Sequence, residues 1–224
     1  VSLHAFDGLD PERFNRLLFE ELDILDRVRP VRIDPMYRSC MPDFTFDVPA
    51  DVETYEKMLI ERFPQEREGV EDMFAALDRI DRAMSSAIYL QNGQIGKGLW
   101  SSVKQFWVFF TLAKYWNVSA AEMIDDFIED ERLKTLFTQL TGFLGAEPDR
   151  ISGLVFAIMW NSYHRGGYYY FLGGSQSVSN ALAEVIRENG GEVLLSTLAT
   201  KIVLRDGRAV AVRTGDGRTY RCRD

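Results

Sequence analysis

The hydrophobic period of this chain changes once, and that change limits what it can fold into. Up to about Asn161, apolar residues recur at helical spacing in one segment after another. Beyond Asn161 the sequence turns to aromatic- and glycine-rich runs, one amphipathic helix and short strands with Gly-containing turns. The order reads as a mainly helical domain attached to a small α/β unit, an α+β chain.

In the first part, Phe14, Leu17, Leu18, Leu22 and Leu25 mark a helix between Pro11 and Val28, which Pro30 ends. Two extended runs, Val31 to Arg38 and Phe44 to Val48, flank Met41-Pro42-Asp43 and predict a small β-hairpin. Asp51 is placed to cap a helix running to Arg62, and Pro64 to open another reaching about Leu90. Ser119-Ala-Ala-Glu122 is a capping box that starts an acidic helix through Glu131, with further helices over 133–143 and 149–160.

Two segments invite chemistry that their spacing does not support. Gln91 to Gly98 holds three glycines as GxxGxG after a helix, whereas a dinucleotide fingerprint needs GxGxxG after a strand. It reads as a loop. Asp125, Asp126, Glu129, Asp130 and Glu131 fit neither an EF-hand nor a paired-carboxylate metal motif, and read as a solvated helix face. Leu99 to Trp116 is apolar on all sides, with Phe106 to Phe110 consecutive. That predicts core packing or the wall of an apolar substrate cavity; a peripheral membrane module is the alternative.

In the second part, Ser175 precedes a helix striped by Val178, Ala181, Leu182, Val185 and Ile186, and Gly190-Gly191 stops it. Glu192 to Thr197 reads as a strand. Ala199 to Arg205, Ala209 to Thr214 and Arg218 to Cys222 read as a meander turning at Asp206-Gly207 and Gly215-Asp216-Gly217.

Composition narrows the function classes. With 46% hydrophobic and 27% charged residues over 224 positions, intrinsic disorder is excluded. The formal charge of −8 argues against whole-surface nucleic-acid binding. Residues 201–224 carry seven basic and three acidic side chains, +4, which leaves −12 on residues 1–200. The basic stretch reads as a solvated sheet edge rather than a phosphate site. Cys40 and Cys222 form no metal or disulfide pattern and suggest a reducing, cytoplasmic setting. No run reaches the roughly 18 apolar residues of a membrane span. No nucleophile–base set, metal motif or catalytic residue emerges. His164, in an aromatic stretch, reads as a structural hydrogen-bonding residue rather than an acid or base.

From Tyr168 onward the residues carry more. Tyr-Tyr-Phe-Leu-Gly-Gly, the helix, Glu-Asn-Gly-Gly-Glu-Val and then Ala199 to Gly217 resemble the middle of a flavoprotein of the phytoene desaturase and carotenoid isomerase group. Leu22 to Asp26, Asp34 to Tyr37, Phe46 to Pro49 and Glu61 to Pro64 are similar, in that order, to the group's substrate region. Each piece alone is weak; the combination covers most of the chain.

The resemblance implies residues 1–165 as a helical substrate-binding domain and 166–224 as part of an FAD-binding domain, built as Gly-Gly, helix, strand and β-meander. It implies that Gly173 and Gly174 lie near flavin and substrate, although a tight turn into a helix explains them equally. It also implies that the main chain at Ala199 meets the adenine of FAD. Trp100, Phe106, Trp107, Phe110 and Tyr168, Tyr169, Tyr170 and Phe171 become candidate linings for a long apolar polyene or related lipid. Leu172 departs from the commoner family wording beside the glycines. With no GxGxxG before residue 1 and no C-terminal flavin segment after Asp224, the sequence is expected to be a central piece that alone holds little or no FAD. The competing class is a non-enzymatic prenyl- or lipid-binding protein on the same scaffold, similar to GDP-dissociation inhibitors.

Overall fold

The computed structural model describes residues 6–11, 13–91 and 99–222, and of 86–91 and 99–106 the backbone alone. Two compact units form, Val1–Ser177 and Val178–Asp224. In chain order the first holds β1 (Phe6–Asp7), α1 (Phe14–Glu21), β2 (Pro30–Arg32), β3 (Tyr37–Cys40), β4 (Thr45–Val48), α2 (Val52–Arg62), α3 (Arg67–Gln91), α4 (Leu99–Trp116), α5 (Ala120–Asp125), α6 (Glu131–Thr138), α7 (Gly153–His164) and β5 (Tyr168–Phe171). Helix α8 (Gln176–Glu188) leads into β6 (Ala199–Arg205), β7 (Arg208–Thr214) and β8 (Thr219–Arg221). The fold is α+β, helical with small antiparallel sheets.

Local signals set the helix starts. Asp51 accepts from Thr54 N at 2.7 Å, and Ser119 and Glu122 close a reciprocal box at the head of α5. Asp130 caps α6 by accepting from Arg132 N at 2.9 Å, so the acidic run contains two helices where the sequence predicted one. Its acids serve as a cap and as ion-pair partners: Asp125 and Glu131 meet Lys134 at 2.7 and 2.9 Å, and Asp130 meets Arg132.

The first unit's core is filled by side chains of α2, α3, α5, α6 and α7, centred on Tyr55, Phe74, Phe137, Phe156 and Trp160. Deleting a ring such as Trp160 from this packing costs about 3–5 kcal/mol.

Four expectations are corrected. The first extended run divides: Tyr37–Cys40 pairs with β4, while Pro30–Arg32 joins β5 in a separate sheet ordered β1-β5-β2. A strand's sequence carries its alternation but not its partner. The first helix stops at Glu21 because Asp23 takes a left-handed φ of 54°. Its predicted stripe faces outward at Phe14, Leu17 and Leu22, and Phe19 is the residue it buries. The strand predicted at Glu192–Thr197 has no ladder among the described residues, and Leu194, Leu195 and Leu198 are exposed. Finally, α4 is not core on all sides: it buries Tyr115 but exposes Trp107, Phe109, Phe110 and Trp116.

Candidate functional site

The segment from α7 to α8 holds most of the sequence-derived candidates. Arg165 caps α7, and Gly166 follows where no side chain fits, because a Cβ would stand 2.3 Å from Ser162 O and 3.0 Å from Gly8 Cα. The segment after β1 uses that room, with Asp10 N donating to Gly166 O at 3.0 Å. Asn161 fixes the helix end, donating to Leu77 O at 2.8 Å and accepting from Arg165 Nε at 3.1 Å.

Strand alternation then separates the tyrosines. Tyr168 is buried against Met36 and Ala50, with the Tyr163 ring 5.4 Å away. Tyr169 lies on the opposite face, where its hydroxyl donates to Asp10, which also pairs with Arg32 at 3.3 Å. Burial and that carboxylate bond push the Tyr169 phenol up to about 12, against the pull of Arg32 and Arg16. Tyr170 returns to the face of Tyr168 and is exposed, while Phe171 is buried against Phe6 and Phe19. The structure therefore brings Tyr168 and Tyr170 to one face, and Tyr169 and Phe171 to the other.

Gly173 and Gly174 both take left-handed φ, 86° and 84°. A Cβ on Gly173 would meet nothing, and one on Gly174 only Tyr170 Oη at 3.8 Å. The turn is closed by Gly174 N donating to Phe171 O at 2.9 Å and by Ser177 Oγ donating to Gly174 O at 2.8 Å. An open backbone that leads directly into a 13-residue helix suits close approach of an anionic or planar group. Those residues fit a flavin nucleotide.

Ala199, in the second unit, opens β6 opposite Thr214, with a register shift after it. The sheet order is β6-β7-β8, so β6 is an edge, and main-chain groups there can meet a nucleobase. That also fits.

Helix α4 packs against α3 and α7, and β5 against β1 and β2, so the candidate linings occupy separate elements. Trp107 and Phe110 are 63% and 60% exposed. The side chains of Trp100 and Phe106, like the Gly93 to Gly98 loop and His4, lie outside the described residues. A shallow depression of ≈ 270 Å³ lined by Phe46, Met58, Glu61 and Arg62 contains none of the candidate linings.

His164 is buried beneath this region, not displayed in it. Its ring stacks on Trp160 and on Tyr55, 5.4 Å away and 8° from parallel. Nδ1 bonds the Trp160 carbonyl at 3.0 Å, which requires Nδ1–H, and Nε2 has no partner among the described residues. Desolvation, with Arg165 nearby, lowers its pKa to about 4. A neutral, enclosed imidazole is structural at neutral pH. Sequence reasoning missed Tyr55 beside it, since nothing in its local pattern signals burial against a distant helix.

Residues 115–224 match the family described as flavin containing amine oxidoreductase. The chain is 26% identical to prolycopene isomerase 1, chloroplastic, of an Oncidium hybrid cultivar, over 91% of this chain and 35% of that protein. It is 24% identical to the lycopene-forming phytoene desaturase of Pseudescherichia vulneris, over 87% of this chain and 39% of that protein. The chain is thus similar to a prolycopene isomerase and a phytoene desaturase along most of its length. The chain spans little more than a third of the length of these two relatives. Its fold is similar to that of the Rab GDI from Plasmodium falciparum, with a TM-score of 0.53 at 8% identity, covering 98% of this chain and 47% of that one. No helix among the described residues is long and apolar enough to cross a membrane.

Proposed function

We propose that this chain supplies the substrate-binding body, residues 1–165, and part of the FAD-binding domain, residues 166–224, of a flavin-dependent oxidoreductase acting on a long apolar polyene. The observation that carries the reading is similarity over about nine-tenths of the chain to a prolycopene isomerase and a phytoene desaturase. When bound, the flavin would supply hydride chemistry for desaturation or isomerisation. Gly173 and Gly174 would give it close backbone approach, and Ala199 would offer main-chain bonds to its adenine. Tyr170, exposed on the face whose neighbour Tyr168 is buried, would present its ring to the polyene. A non-enzymatic prenyl-binding role is supported only by likeness of fold.

The test is turnover by the full-length protein carrying FAD, with a colourless polyene in detergent micelles and product followed by visible absorbance. New long-wavelength bands, or a changed isomer pattern on chromatography, support the reading. Tight polyene binding with neither change supports the lipid-binding class instead. The 224-residue chain alone is expected to show little flavin absorbance after purification, because it holds no pyrophosphate-binding GxGxxG turn.

The same reading includes peripheral attachment to a membrane from the cytoplasmic side. Its support is α4, whose exposed Trp107, Phe109, Phe110 and Trp116 are interfacial residue types, and whose 18 residues hold Lys104 and Lys114 but no acid. A polyene dissolved in lipid would enter from that side. Sedimentation with phosphatidylcholine vesicles tests it, and protein left wholly in the supernatant removes it.

A further inference from the structure

The meander sorts its charges by face. Between β6 and β7 the register pairs Lys201 with Arg213, Val203 with Ala211 and Arg205 with Arg208; between β7 and β8 it pairs Ala211 with Arg221 and Arg213 with Thr219. Residues paired across neighbouring strands share a face, so Lys201, Arg205, Arg208, Arg213 and Arg221 all stand on one side of the sheet. The irregularity between Val203 and Leu204 brings Arg208 there, since unbroken alternation from Arg213 would set it on the other side. That other side carries Ile202, Leu204, Ala209, Val212 and Tyr220. All five cations are exposed, and none makes an ion pair among the described residues. Asp206 and Asp216 lie in the turns, Asp216 held by Thr214 and Arg218. Guarding of an edge accounts for Lys201 and Arg205 on β6, but Arg208 and Arg213 lie on the central strand. Lys201–Arg213 and Arg205–Arg208 set like charges directly opposite each other, which weakens the sheet unless an anion lies over it.

We propose that this basic face of the meander docks on the anionic headgroups of a phospholipid bilayer. It rests on the reading of the protein as membrane-attached, but through residues other than those of α4. The five cations are spread over roughly 10 Å by 13 Å and do not converge on one point, so they match a plane of separate phosphates rather than one small anion. The face carries no aromatic ring on which a nucleobase could stack, Tyr220 being on the other side. Residues 1–200, at −12, are repelled by the same lipid surface, so charge selects this face over the rest of the chain.

The experiment is sedimentation of full-length, FAD-loaded protein with vesicles of phosphatidylcholine alone and of phosphatidylcholine mixed with phosphatidylglycerol. At low salt the anionic vesicles should hold more protein, and the excess should vanish near roughly 0.5 M NaCl. R208T/R213T should weaken binding to the anionic vesicles by roughly twentyfold, near fivefold per charge, and leave binding to neutral vesicles unchanged. R213E turns one like-charged pair into an opposite pair, so it should weaken anionic binding by a similar factor while Tm holds or rises. Equal binding of wild type to both vesicles, or anionic binding unchanged in both variants, overturns the proposal. So does loss of flavin or of Tm in both, because protein would then cover the face. Release by inorganic phosphate at an ionic strength where chloride does not release would mark a free-phosphate site, and tighter binding of a single-stranded oligonucleotide a nucleic-acid site; either overturns it. Protein held by anionic but not by neutral vesicles removes attachment through α4 and leaves the basic face standing. Protein held equally by both does the reverse, and protein held by neither removes both.

Discussion

Trp160 and His164, one turn apart on α7, stack with ring centroids 4.0 Å apart and planes 10° from parallel. The stack seals the imidazole from water, and the charged form would have to exist there without solvent. Its folded pKa of about 4 lies below the unfolded value of 6.5, so as pH falls the unfolded chain takes the proton first. Stability from this group is complete above about pH 6.5 and declines as pH drops toward about 4, by roughly 3 kcal/mol in all. H164F should lack that component. Urea midpoints of both proteins across this range should converge on acidification; parallel curves would show that His164 does not titrate on unfolding.

Glu66 is a buried carboxylate that accepts from the backbone of a distant loop, Asp130 N at 2.6 Å and Glu129 N at 3.2 Å. It ties the start of α3 to the α5–α6 link. Removing the acceptors strands two amide donors, so E66A is expected to lower unfolding free energy by about 2–3 kcal/mol. E66Q, which retains one carbonyl oxygen, should lose less. Chemical denaturation with an unchanged m-value is the check.

Gly69 supports the same junction by having no side chain. A Cβ there would stand 2.0 Å from Phe127 O, a backbone atom that cannot swing away. G69A must push the loop off α3 at a cost of about 1–3 kcal/mol or more, despite the higher helix propensity of alanine. A raised Tm in G69A would contradict this placement.

Phe110 separates a core role from a surface role for α4. Because it is largely exposed, F110D is expected to change stability by less than about 1 kcal/mol and to leave flavin content of the full-length protein near normal. Vesicle sedimentation and polyene turnover should both collapse. A fall in Tm and FAD along with activity would mark Phe110 as packing.

Sequence alone determined what is satisfied by near neighbours. The caps at Asp51 and Ser119, the Asp206-Gly207 turn with φ of 52° and 77°, and the three meander strands were all legible, because their bonding partners lie a few residues away. The family resemblance was legible for the same reason, being carried by short motifs in order. Tertiary structure decided the rest. Arg32 lies opposite Tyr169 across more than a hundred residues, and no local pattern specifies that pairing. The same holds for the exposure of α1 and α4, the separation of Tyr169 from Tyr168 and Tyr170, and the neutral state of His164. Burial belongs to a residue's distant neighbours: an apolar stripe states that a helix needs cover, and only the folded chain states what covers it.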